Sequence, residues 1–425
     1  PVSGSAYTYG YTTLGEFVAW TMGVLLLLEY GIAAAVVAVG WGGYVVSLLA
    51  DFGLQIPPQL TGPTGYTLMR DGAPVLVDGQ AVTTIFNLPA FLICIALSLL
   101  LVLGVSESAK VNNIIVAIKV SVLAAFIVVG GLIVLSNLPD LLASNWTPFI
   151  PENRGDGEFG VDGIMRAASI VFFAYIGFEA VSTAGQEAKD PARDMPFGII
   201  GSLVVCTVIY MLVAAIMTLL VPYNTLNVPD PVAVVVDAFG PQWGWLAKII
   251  KIGAIIGLTS VVLVLMYGQT RIFYTMARDG LLPHVFSRVH PKYQTPWINT
   301  LLVGLITACA AGFLDINLLG DATSVGTLAA FAIVCLSVIY LRRAAPELPR
   351  GFKVPFYPVL PVLGILSCGY LITTVPLHVL GLFFIYLAVG MVIYFFYGIH
   401  FSNLQTGRDQ DEGPDMGEFP GPVVD

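Results

Sequence analysis

The sequence predicts an all-α integral membrane protein of about ten spans, and three observations carry that prediction. Of the 425 residues, 57% are apolar and only 11% are charged, whereas a soluble domain carries about 25% charged residues. The charges are gathered between long apolar runs instead of being spread along the chain. Most of those runs come close to the roughly 20 helical residues that cross a hydrocarbon core about 30 Å thick.

In chain order, the first run extends from Gly15 to Leu49. It is too long for an upright span, so it is expected to tilt strongly or to continue along the interface. Runs of ordinary span length follow at Leu88 to Leu103, Val111 to Leu135, Ile164 to Gly185 and Phe197 to Val221. The sixth, Trp243 to Ala277, is again too long, and Ile298 to Leu314, Leu318 to Leu341, Leu360 to Val375 and Leu377 to Tyr397 complete the set. The connections 51–87 and 136–163 are rich in Gly, Pro and Asp and read as turns too short for a separate domain.

The chain therefore divides into a polytopic region, 1–400, and a tail, 401–425, which contains TGRDQDEGPDMGEFPGPVVD. The tail has no apolar period and is expected to be disordered. The net charge of −9 comes mostly from the outer loops and this tail, which argues against a nucleic-acid partner. A cytoplasmic N-terminus puts Lys110, Lys189, Arg193, Arg278, Arg342 and Arg343 on the inside, and leaves Arg70 and Arg154 in the outer loops, with Arg166, Lys248 and Lys251 near span starts. The positive-inside rule chooses that orientation, and ten spans return the tail to the cytoplasm. The opening PVSGSAYTYGY has no initiator Met and reads as an interior start.

Redox and metal chemistry find little support. The five cysteines are isolated in apolar spans, without C-x-x-C spacing, and read as small core residues. No pair of the four histidines has the placement of haem or metal ligands, and no cofactor is expected.

Ionisable groups inside hydrocarbon are the first candidates for function. Lys119, in VNNIIVAIKVSVLAAF, lies nine residues from Lys110 at the membrane edge, roughly 13 Å along a helix and so near the midplane. An ammonium there costs about 2.5 to 3.5 kcal/mol and must face the bundle. Lys119 is either a structural cation, capping carbonyls or pairing with a carboxylate, or a working one that stands in for a coupling ion or exchanges a proton. Glu29, in LLLLEYGIAAAVVAVGW, has Ala33 one turn on and small residues beside it, and the structural and functional readings weigh equally. The stretch FFAYIGFEAVSTAGQEAKDPARDMP, 172–196, carries Gly177 and Glu179 within an apolar span. Gly177 weakens the helix by about 1 kcal/mol relative to Ala, a modest sign of a break.

That stretch, together with YGQTRIFYTMARDGLLP, GTLAAFAIVCLSVIYLRR and GFKVPFYPVLP, resembles the amino acid, polyamine and organocation transporter superfamily. With PVSGSAYTYGY and VGWGGYVVSLL the chain looks most like the cationic amino acid transporter branch and its bacterial relatives. The resemblance covers nearly the whole chain. It implies twelve spans, the first ten forming two inverted five-helix repeats, of which this chain would hold spans three to twelve and lack the first two.

The resemblance implies a discontinuous sixth span, with the break at Phe173, Ala174, Tyr175, Ile176 and Gly177. Phe173 would be an aromatic lid and Ile176 an apolar wall. The carbonyls of Phe173, Ala174 and Ile176 would accept from a substrate ammonium. Glu179 would help to close an inner gate, and Lys119 would occupy a sodium position, implying proton coupling or exchange. Ala33 would be a pocket wall with Glu29 one turn away, and Leu258 and Thr259 weaker pocket candidates. Asp190 stands where relatives commonly have Asn and is expected to preserve the inner-loop turn.

The implied function is secondary active transport of an L-amino acid, small neutral or cationic, across the plasma membrane by alternating access, independent of sodium. The expected partners are the amino acid, H+ and membrane lipid. The alternative is a membrane-embedded enzyme or electron-transfer subunit, which would require convergent ligands or a nucleophile and base pair where the spans offer scattered singletons. A channel would require polar rings or a filter loop.

Overall fold

The first apolar run folds as one helix, α1 (Glu16–Asp51), 36 residues long and therefore about 54 Å from end to end. It is apolar all round, so it threads the interior, and its most apolar window is 78% buried. The other long run forms α8 (Gly244–Arg278), 35 residues, which packs along α1. The computed structural model describes residues 7, 10, 11, 14–70, 73, 74, 76, 77, 80–104, 109–155, 157–178, 190–347, 350 and 352–403.

Between those two helices come α2 (Leu88–Val102), α3 (Ala109–Ser136), α4 (Leu138–Asn145), α5 (Gly160–Val171), α6 (Pro191–Leu220) and α7 (Pro231–Asp237). After them come α9 (Trp297–Phe313), α10 (Ile316–Ala344), α11 (Val359–Thr373) and α12 (Leu377–Ile393). A π-helical turn at Tyr394–Gly398 leads into α13 (Ile399–Phe401). The fold is all-α, and among the described residues six helices are long and apolar enough to cross a membrane, with α2, α9 and α11 shorter but apolar.

Local chemistry sets several helix starts. The Asn87 side chain accepts from the Ala90 N–H at 3.2 Å and caps α2, and Asp315 accepts from the Asn317 and Leu318 N–H groups to cap α10. At α6 the expected cap works in reverse. The Asp190 side chain makes no capping bond, and the Asp194 carboxylate accepts from the Asp190 N–H at 3.2 Å. Two segments expected as turns are more ordered. Residues 138–145 form α4, with Pro139 in its first turn, and residues 69–81 hold two antiparallel pairs of two-residue strands, β1 (Met69–Arg70) with β2 (Ala73–Pro74) and β3 (Leu76–Val77) with β4 (Gln80–Ala81).

Within the span expected from Ile164 to Gly185, the described residues are α-helical only in α5, which ends at Val171; residues 179–189 lie outside the described residues. Two apolar cores organise the rest. The larger gathers α1, α2, α8, α9 and α10 around Trp20, Ala33, Met266 and Leu319. The smaller joins α3, α6, α7 and the start of α8 through Phe126, Ile216, Val235 and Ile250.

Polar ties fasten both ends of the α1–α8 pair. Where α1 ends and α8 begins, the fully buried Lys251 ammonium lies 2.8 Å from the carboxylates of Asp51 and of Asp237 on α7. Where α1 begins and α8 ends, Tyr7 donates to the Asp279 carboxylate at 2.7 Å, Ser402 donates to Glu16, and the Asn403 N–H donates to the Asp279 carbonyl at 3.0 Å. Burial pushes the Asp279 carboxyl pKa up, against the opposing pull of the Tyr7 hydrogen bond and of Arg278.

Candidate functional site

The centre of the candidate site is the place where α5 stops being a helix. After Val171 the backbone tightens into a 3₁₀ turn at Phe172–Tyr175, and Ile176 turns to φ −58° and ψ 133°, outside the helical region. Gly177 then takes φ +105°, a backbone that L side chains rarely adopt. The run FFAYIGF brings four aromatic rings into seven residues, and they anchor the irregular segment to its neighbours. Phe172 and Phe178 both pack on Phe331 of α10, at ring separations of 5.6 and 5.2 Å. Tyr175 meets the Thr207 hydroxyl of α6 at 2.8 Å.

A broken membrane helix exposes backbone groups that hydrocarbon cannot satisfy, so each must find a partner or line a cavity. The Phe173 carbonyl accepts from the Ile176 N–H at 3.1 Å. The Ala174 carbonyl accepts from the Tyr210 hydroxyl of α6 at 2.8 Å. Each oxygen has a second lone pair and can accept once more. Phe173 and Ile176 are half-buried and pack on the larger core, to which Ala33 belongs. Ala33 and Glu29 are both fully buried, one turn apart on α1.

The remaining candidates lie on α8 and α3. Thr259 donates to the Ile255 carbonyl at 2.7 Å and accepts from the Trp41 indole of α1 at 2.8 Å. Trp41 is eight residues beyond Ala33, roughly 12 Å along α1, so Thr259 meets α1 well beyond Ala33. Lys119 is half-buried, and its stem runs beside Gly257, where an added Cβ would lie 3.3 Å from Lys119 Cγ. Glu179 lies outside the described residues.

The structure adds residues that the sequence reading passed over. On α10, Asp321, Thr323, Ser324 and Thr327 are all buried. The Asp321 carboxylate pairs with Arg166 of α5 at 2.5 Å, and the Ser324 hydroxyl donates to the Ile170 carbonyl at 3.4 Å. Arg166 was expected to be a flanking charge; it is instead held between two helices just ahead of the break. The available signal was Asp321 itself, a carboxylate inside the apolar run LLGDATSVGTLAAF. Among the described residues no group of three or more His, Cys, Asp or Glu is placed to hold a metal ion.

The family of amino acid permeases matches this chain over residues 1–398. A branched-chain amino acid permease of Bacillus subtilis (strain 168) is 44% identical over 405 residues, covering 95% of this chain and 81% of the relative. A methylthioribose transporter of the same organism is 43% identical over 397 residues, 93% of this chain and 80% of the relative. The vacuolar cationic amino acid transporter 4 of Arabidopsis thaliana is 35% identical over 351 residues, 82% of this chain and 54% of the relative. With its bundle of apolar helices and an α5 that ends at Val171, this chain is a multi-pass membrane protein and belongs to the amino acid permease family, within the amino acid, polyamine and organocation transporter superfamily.

Proposed function

We propose that the protein is a secondary transporter that moves a small neutral L-amino acid across the plasma membrane by alternating access, coupled to protons or working by exchange, without sodium and without enzymatic activity. The observation that carries this reading is the break at Phe172–Gly177, because irregular backbone at membrane depth is tolerated where it lines a cavity or a substrate site. In this reading Phe173 covers the substrate, Ile176 and Ala33 form apolar walls, and the carbonyls of Phe173, Ala174 and Ile176 accept from its ammonium. Tyr175 and Gly177 hold the shape of the break, and Glu29 lies behind the Ala33 wall. Leu258 and Thr259 are weaker pocket positions, Lys119 is the coupling cation, and Glu179 closes the inner gate. The ends of the chain are cytoplasmic, as the distribution of Lys and Arg favours.

The lean toward neutral substrates rests on the apolar character of Ile176 and Leu258 and on the branched-chain permease among the relatives. The test is uptake of labelled leucine, alanine and arginine into proteoliposomes, with a pH gradient imposed and sodium varied. Methylthioribose serves as a competitor because the second relative is named for it. Saturable, sodium-independent uptake of leucine or alanine is expected. Uptake of arginine alone would overturn the substrate class, and a sodium requirement would remove the role given to Lys119.

A further inference from the structure

Arg166 and Asp321 lie in α5 and α10, on the side of the break away from the start of α1. Both helices begin at the face where α1 ends in Asp51, because α9 has carried the chain across to that face before α10 starts. Arg166 is six residues before Phe172, roughly 9 Å along the helix. The pair is thus a bridge between α5 and α10 over the approach to the broken segment. Its side chains are 17% and 8% exposed, so water screens it little.

The bridge is incomplete in a particular way. One guanidinium nitrogen, Arg166 Nη2, holds Asp321, whereas Nη1 is buried and has no hydrogen-bond partner among the described residues. Ser169 is three residues on, on the same side of α5. It is fully buried, and its hydroxyl likewise has no partner among the described residues. Native proteins seldom leave such donors unmet. A planar guanidinium with a vacant nitrogen is shaped for a carboxylate, and an amino acid brings one.

The geometry points to Arg166 and Asp321 as the gate between the Asp51 face and the broken segment, closed while Arg166 holds Asp321 and opened when the α-carboxylate of an arriving amino acid replaces Asp321 on Arg166. This rests on the transport reading above. The buried hydroxyls Ser324 and Thr327 continue the polar seam of α10 inward, toward the level at which Phe331 meets Phe172.

The test uses Ser169→Cys as a reporter in protein whose five native cysteines are replaced by Ala. A membrane-impermeant methanethiosulfonate is applied to intact cells, and the rate of modification is measured. With the pair intact, labelling should be slow, and Asp321→Asn should raise it tenfold or more. The double variant Arg166→Gln with Asp321→Asn, which leaves no lone buried charge to disturb folding, should do the same. Leucine should accelerate labelling severalfold in the protein with the pair intact, and isoamylamine, which is leucine without its carboxylate, should not.

Rates within twofold of the parent in both folded variants overturn the gate, as does acceleration by isoamylamine equal to that by leucine. Leucine that is taken up without accelerating labelling overturns the carboxylate step. Failure of the parent to take up leucine counts against the transport reading instead, and the two variants then judge the gate without any substrate.

Discussion

A single buried charge is judged by what surrounds it. Lys119 is half-buried with its stem beside Gly257, one residue from Leu258 and two from Thr259. That places a cation against the helix that also meets Trp41 of α1. Lys119→Ala is expected to abolish accumulation driven by a pH gradient while the purified protein stays monodisperse on size exclusion. Undiminished accumulation by that variant would contradict the coupling role. The sequence showed that Lys119 must face inward, since hydrocarbon would not tolerate its charge. It could not show that the Lys119 stem lies beside Gly257, because that depends on how α3 and α8 cross.

At the scale of the element, the instructive case is α5. Sequence patterning reads it as a continuous span, because the residues on both sides of the break are apolar and Gly177 alone is a weak signal. In the fold the interruption is fixed from outside. Phe331 holds Phe172 and Phe178 on either side, Tyr210 takes the Ala174 carbonyl, and Thr207 holds Tyr175. Gly177 supplies the backbone freedom at φ +105°. A Cβ built on Gly177 meets no atom within 4 Å, so Gly177→Ala should act through backbone strain and not through a clash. A cost of about 1–3 kcal/mol is expected for holding Ala in that region. The expected outcome is a large fall in maximal uptake with a thermal midpoint lowered by only a few degrees, measured in detergent. Unchanged uptake would mean that the break needs no glycine.

For the whole molecule, the two ends of the α1–α8 pair carry different chemistry and different predictions. At the Asp51 end a fully buried ammonium is neutralised by two carboxylates. Removing both, with Asp51→Ala and Asp237→Ala, leaves Lys251 unpaired and should lower stability by about 3–5 kcal/mol, seen as a drop in thermal midpoint. Adding Lys251→Met to that pair should restore most of the loss.

At the other end, burial raises the Asp279 carboxyl pKa, so the folded state holds that proton more tightly than the unfolded chain does. Unfolding then releases a proton. The stability contributed by the protonated carboxyl is fully present below the unfolded pKa of about 4. It is lost as pH rises through the higher folded value. Asp279→Asn keeps an acceptor for Tyr7 and should flatten the decline of thermal midpoint with rising pH over that window. Asp230, whose carboxyl burial also raises, keeps its own share of the slope.

By itself the sequence determined the all-α membrane class, the positions of nearly every long helix and the residues most costly to bury, because hydrophobic length and charge cost are local properties written along the chain. The short helix α4, the exchanged cap at α6, the partners that hold the residues after Val171 and the pairing of Arg166 with Asp321 depended on tertiary structure. Arg166 and Asp321 are 155 residues apart, and no pattern in either stretch names the other. Only the packing of α5 against α10 made a flanking arginine and a stray aspartate into one buried pair above the broken helix.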